Sequence, residues 1–172
     1  MRYTILFLAL LCGTIALHAQ AFPEAAIKKN LSADKIEMDA GNEDGVFKAR
    51  HQKTKKWGMY QYTYDGVKCI ELIPMQYDSL RYFPFNGAFT IVYNDGKLGC
   101  YLSYWSYETR AKQSVPCLYQ DYQRYDVEGT VYLAVKRDDA WGWVNWLTGE
   151  EMTEFIYDTK ENLPYPTYTQ SY

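Results

Sequence analysis

Short runs in which apolar and aromatic residues alternate with polar ones dominate this chain, and nothing in them sustains the 3.6-residue period of a helix. Phe89 to Tyr93 is a β-branched and aromatic run. It is followed by the Asp-Gly turn of "NDGK", then by Leu98 to Trp105, a polar turn near Glu108-Thr109, and Lys112 to Leu118. This reads as three strands joined by tight hairpins. "YDGV" does the same between Met59–Tyr64 and Lys68–Ile73, and "LTGE" closes a later hairpin with Gly149 at a position suited to positive φ. In "KKWGMYQYTYDG", Tyr60, Tyr62 and Tyr64 share one face of a strand while Trp57, Met59 and Gln61 share the other. Bulky side chains on both faces suit a strand covered on both sides. Pro74 and Pro116 lack a backbone donor and are expected at strand ends or edges.

The pattern recurs. Trp57-Gly58, Leu98-Gly99 and Trp141-Gly142 are spaced 41 and 43 residues apart. Each is preceded by a strand-like run ("GVFKARHQ", "AFTIVYND", "TVYLAVKR"). Each is followed by a second landmark: "ELIPMQYD" holds Pro74, Tyr77 and Asp78, "QSVPCLYQ" holds Pro116 and Tyr119, and "EMTEFIYD" holds Tyr157 and Asp158. Three landmarks in one order predict an all-β chain of three tandem repeats, about 45–86, 87–128 and 129–163. Each repeat would be a three-stranded antiparallel meander, stacked as a curved array or a partly closed sheet. The glycine beside each large residue lets neighbouring backbone close over it, so these residues are assigned to folding.

These motifs resemble those of the WG-repeat (KWG) family. "KKWGMYQYTYDGVKCIELIPMQYD" carries Lys56, Trp57, Gly58, Gly66, Ile73, Pro74, Tyr77 and Asp78 in the family's order. The later repeats depart at Leu98, Gln120 and Glu154. The resemblance covers about two-thirds of the chain. It implies tandem short antiparallel strands, often on exported bacterial proteins, and no catalytic activity.

The chain opens with Arg2, an apolar run from Tyr3 to Leu17 and the small residues Ala19 and Ala21, the layout of a signal peptide over residues 1–21. The expected location is therefore outside the cytoplasm, periplasmic or extracellular. The run is too short for a membrane anchor, so no transmembrane segment is expected in the mature form. Residues 22–44 form a flank with a short helix starting at Pro23-Glu24, and 164–172 form an extended tail; either can cover an end of the array. Three repeats lie near the minimum for stability, which makes a homodimer through one end an expectation.

The formal net charge of −3 argues against nucleic acid, whose binding needs a clustered basic face. Cys69, Cys100 and Cys117 would enter an oxidising space. A hairpin centred on Glu108-Thr109 places Cys100 opposite Cys117, so these two are the candidate disulfide. Neither cofactor nor metal is expected: the spacings suit no metal, and "DAGNEDG" lacks the ligand alternation of a calcium loop. Carboxylates fall in turns and His51 is isolated in a polar turn, so no catalytic constellation forms. Aromatic residues make up 17% of the chain. The expected function is non-enzymatic protein–protein interaction in the bacterial envelope. The alternative is glycan or peptidoglycan binding through exposed rings, with Tyr104, Trp105, Tyr107 and Trp146 as the first candidates and Tyr122, Tyr125, Tyr165 and Tyr168 behind them.

Overall fold

The computed structural model describes residues 22–38, 45–63, 68–83, 89–102, 112–127 and 130–166. Among these residues the one α-helix, α1 (Glu24–Leu31), starts at the expected Pro-Glu step and ends at Ser32, which takes a left-handed conformation. Eleven strands follow: β1 (Ala33–Glu37), β2 (Val46–His51), β3 (Trp57–Thr63), β4 (Lys68–Tyr77), β5 (Ser79–Phe83), β6 (Phe89–Asn94), β7 (Lys97–Leu102), β8 (Lys112–Tyr119), β9 (Asp121–Val127), β10 (Thr130–Arg137) and β11 (Ala140–Val144). They form three antiparallel sheets, β1-β2-β3-β4, β5-β6-β7-β8 and β9-β10-β11, none of them closed.

The sheets stack through shared cores. Val46, Met59, Ile73 and Tyr77 of the first sheet meet Leu80, Val92 and Tyr101 of the second. Phe89, Ile91, Leu98, Cys100, Val115 and Tyr119 on the second sheet's other face meet Leu133, Val135 and Val144 of the third. Both outer faces are covered as well. Ile27 and Leu31 of α1, with Phe22, pack on Phe47, Tyr60 and Tyr62, and Met152, Tyr157 and Leu163 pack on Tyr132, Trp141 and Trp143. The strands therefore bury residues on both faces, which is why their sequences carry large side chains at odd and even positions alike.

Sheet boundaries differ from the expected ones. The chain leaves the first sheet after Tyr77 and enters the second at Ser79, and it leaves the second after Tyr119 and enters the third at Asp121. Each crossing takes a single residue. Asp78 donates its amide to Tyr93 O at 2.8 Å, and its carboxylate accepts from Asp95 N at 2.7 Å and Lys56 Nζ at 2.6 Å. Gln120 reproduces the corner: its amide donates to Lys136 O at 2.8 Å and its Oε1 accepts from Asp138 N at 3.0 Å. A fourth strand thus opens the second sheet, "SLRYF", and β1 inside the expected flank opens the first. β1 is held to β2 by Arg50–Asp34 and Lys48–Glu37 ion pairs.

Pro74 and Pro116 lie within β4 and β8, both edge strands, where the ladder is bulged. Trp57 faces Tyr77 while Met59 faces Ile73, and Leu98 faces Tyr119 while Cys100 faces Val115. The slack in β4 and β8 is taken up around each proline, as expected of a residue that cannot donate to the ladder. The bulged backbone passes directly over the motif glycines. A Cβ on Gly58 would sit 2.8 Å from Ile73 O, and one on Gly99 2.5 Å from Val115 O. In the third sheet the fourth place is taken by an irregular segment that touches β11 at two bridges, Trp141↔Tyr157 and Val144↔Glu151.

That bulge corrects the cysteine pairing. Cys100 stands opposite Val115, not Cys117, because the register slips by two residues across Pro116. Cys100 is buried between the second and third sheets, whereas Cys117 packs against the core between the first and second. Cys69, Cys100 and Cys117 are all free thiols. Burial pushes the Cys100 thiol up to about 12, and Cys69 and Cys117 are raised for the same reason.

Candidate binding groove

The second and third sheets meet face to face in the centre but part at one margin, where β5 and β6 stand across from β9. The opening is a groove of about 540 Å³, within the size range of ligand sites. Its floor is aromatic: Tyr93 and Tyr122 are half-buried and pack against the core below. Its walls are polar, with Arg81 on one side and Asp121, Gln123, Arg124 and Asp126 on the other. On β9, Tyr122, Arg124 and Asp126 occupy every second position and so project from one face, with Asp121 and Gln123 alternating between them.

The groups hold one another. Arg81 hydrogen-bonds to Tyr122, whose phenol burial pushes up while the Arg81 charge pulls it back. Tyr93 is likewise raised by burial, against the same guanidinium. Asp121 Oδ1 accepts the Tyr122 amide at 2.8 Å, and Lys160 Nζ reaches Gln123 Oε1 at 3.4 Å. Arg124 donates from one terminal nitrogen to Asp126 Oδ2 at 3.3 Å, and its buried Nε–H has no partner. Two guanidinium and two carboxylate groups leave the groove balanced in charge. Among the described residues, no group of three or more His, Cys, Asp or Glu is placed to hold a metal ion.

The ring candidates scatter. Trp146 is half-buried, edge-on to Phe89 with centroids 5.5 Å apart. Tyr104, Trp105, Tyr107 and Tyr168 lie outside the described residues, as does most of "DAGNEDG". Tyr125 packs against Trp143 at 5.1 Å, and Tyr165 is exposed. Trp141, Trp143, Tyr77, Tyr101, Tyr119 and Tyr132 are buried. Trp57 is half-buried beneath Lys35 and Arg50, whose cations lie 5.5 and 5.6 Å from its ring. Among the described candidates, only Tyr122 lines the groove. Arg81, Tyr93 and Arg124 were not singled out by the sequence. The signal for Arg81 and Arg124 is the alternation in "SLRYF" and "DYQRYDV", which marks two further strands but does not show that they face each other, and Tyr93 ends the Phe89–Tyr93 run already read as a strand.

His51 Nδ1 accepts the Thr54 amide at 3.2 Å, a local turn contact. Among the described residues, no helix is long and apolar enough to cross a membrane. No family model matches the chain, and neither a curated protein nor a solved structure does.

Proposed function

We propose that the chain is an exported WG-repeat protein of the bacterial envelope, built of three tandem repeats, that works without catalysis by binding another envelope protein. The repeat assignment is supported by recurrent pairings: Trp57 opposite Tyr77, Leu98 opposite Tyr119, and Trp141 bridged to Tyr157. The Asp78 and Gln120 corners support it too.

One observation carries the binding role. β5 and β9 each pair with a single strand among the described residues, and these two sheet edges flank the groove. An edge strand offers unpaired backbone donors and acceptors, a template for a partner's chain. Most of the described rings sit in the cores or pack against them, which favours a protein partner over a sugar platform. A photo-crosslinking residue placed at Gln123, in cells exporting the chain, should give one discrete adduct with an envelope protein. The same residue at Lys29, exposed on α1, should give none. Identical adducts from both positions, or none from Gln123, would sink the reading.

Glycan binding is the second reading, favoured by the Tyr93 and Tyr122 rings on the groove floor. It predicts a saturable fluorescence change with cell-wall saccharides that Tyr122→Ala abolishes. A flat titration across the panel removes it.

A further inference from the structure

Arg124 is the one groove residue whose hydrogen bonding is visibly incomplete. Its Nε–H is buried without a partner, and unmatched buried donors in folded proteins are rare enough to need a reason. Its contact with Asp126 is a single bond of 3.3 Å to a carboxylate that is 55% exposed, the kind of surface pair that contributes little.

Elsewhere the same chain shows a guanidinium whose corresponding edge is filled. Arg50 donates Nε to Asp34 Oδ1 at 2.9 Å and a terminal nitrogen to Asp34 Oδ2 at 3.2 Å. The carboxylate arrives on β1, the strand hydrogen-bonded beside Arg50's own. Arg124 presents the same Nε side, but it lies on β9, where the third sheet ends. The strand that would deliver the carboxylate is the one place in that sheet with no occupant among the described residues.

We infer that the groove receives an extended acidic segment of the partner protein. This segment lies along the outer edge of β9 and closes the Arg124 fork as Asp34 closes that of Arg50. The inference rests on the protein-binding reading above. The remaining charges are compatible with it. One oxygen of the Asp121 carboxylate accepts the Tyr122 amide, and Arg81 lies across the groove against Tyr122. Asp126 is exposed enough to give way to a carboxylate fixed by backbone pairing. Alternate side chains of the incoming strand would rest on Tyr122 and Tyr93, because strand positions two apart share a face.

The test is selection of a displayed library of random peptides on the purified chain and on Arg124→Lys, which keeps the charge but cannot form the fork. Melting curves of the two establish that both are folded. Enriched peptides should carry Asp or Glu at one fixed position, flanked by β-branched residues. They should bind Arg124→Lys about tenfold more weakly or worse. Replacing the peptide's acid by its amide should cost a similar factor, and N-methylation at alternate residues along its pairing edge should abolish binding. Enrichment without an acidic position, or equal binding to Arg124→Lys, overturns the inference. So does a selection that enriches nothing while uronic-acid oligosaccharides saturate the groove in an Arg124-dependent way, which would make this a sugar site. If the Gln123 adduct forms equally in Arg124→Lys, the protein-binding reading stands and only the acidic strand falls. If that adduct never forms, the broader reading falls first.

Discussion

Gly99 and Gly142 occupy the same place in their hairpins, each just after a buried apolar residue, yet different things lie above them. Over Gly99 runs the backbone of β8, with Val115 O 2.5 Å from where a Cβ would be, and over Gly142 lies the edge of the Phe155 ring at 2.9 Å. The second sheet has a full fourth strand bulged around Pro116. The third has an irregular segment, with Glu154 where the other two landmarks hold proline, and a side chain fills the gap that backbone fills elsewhere. The same glycine position is thus a backbone requirement in one sheet and a side-chain accommodation in the other. A backbone in a ladder cannot retreat, whereas a single half-buried ring, here stacked on Tyr119 beneath Arg137, can tilt.

The sharpest way to break that comparison is Gly99→Ala, which forces the new methyl into a carbonyl held by the β7–β8 ladder. We expect a loss of about 3 kcal/mol or more in urea unfolding. Gly142→Ala should cost only about 1 kcal/mol, since Phe155 can shift aside. Equal losses would mean that the ring is as fixed as the strand. A double-mutant cycle of Gly142→Ala with Phe155→Ala sharpens the point: it should show a favourable coupling of about 1 kcal/mol, whereas Gly99→Ala with Phe155→Ala should be additive.

Smaller effects come from charges that bind strand to strand or sheet to sheet. The Arg50 hydrogen bond, aided by that of Lys55, holds Asp34 from its ordinary 3.8 down to about 2. A lowered carboxyl value gives stability that is present above about pH 4 and lost as pH falls toward 2. Melting temperature of the native chain should therefore drop more steeply across that window than that of Asp34→Asn. Parallel curves would remove Asp34 as a contributor. Smallest of all, Lys56→Met removes the half-buried partner of Asp78, whose carboxyl lies below its usual value because of that lysine and the Asp95 amide. A cost below about 1 kcal/mol is expected. The Gln120 corner, which has no charge to lose, sets the baseline through Gln120→Ala.

What was legible in the sequence was local. "NDGK" gave its hairpin because positive φ at Asp95 and Gly96 is a property of those two residues and their neighbours. The Pro-Glu start of α1 and the turn at Gly149 were legible for the same reason. The strands "SLRYF" and "ADKIE" were missed because they are short and follow a corner only one residue long, so no turn cluster announces them. The cysteine pairing failed because counting outward from a turn at Glu108-Thr109 assumes one residue opposite one, and the ladder departs from that count at its first pair, Leu102 opposite Lys112, and slips again at Cys100 and across Pro116. The groove was beyond local reading altogether. Arg81 and Arg124 come from different sheets, and it is the apolar layer of Ile91, Val135 and their neighbours that sets β5 across from β9.

Every strand in the three sheets pairs only with the strand before or after it in the chain. Among the described residues no ladder waits for a distant segment, so each closure spans a short loop and its entropic toll is small. A nascent chain emerging amino-terminus first can therefore finish one sheet before the next has been made. Its shared face then becomes the surface on which the following sheet condenses, and the segment after β11 folds back to cover the third sheet's outer face.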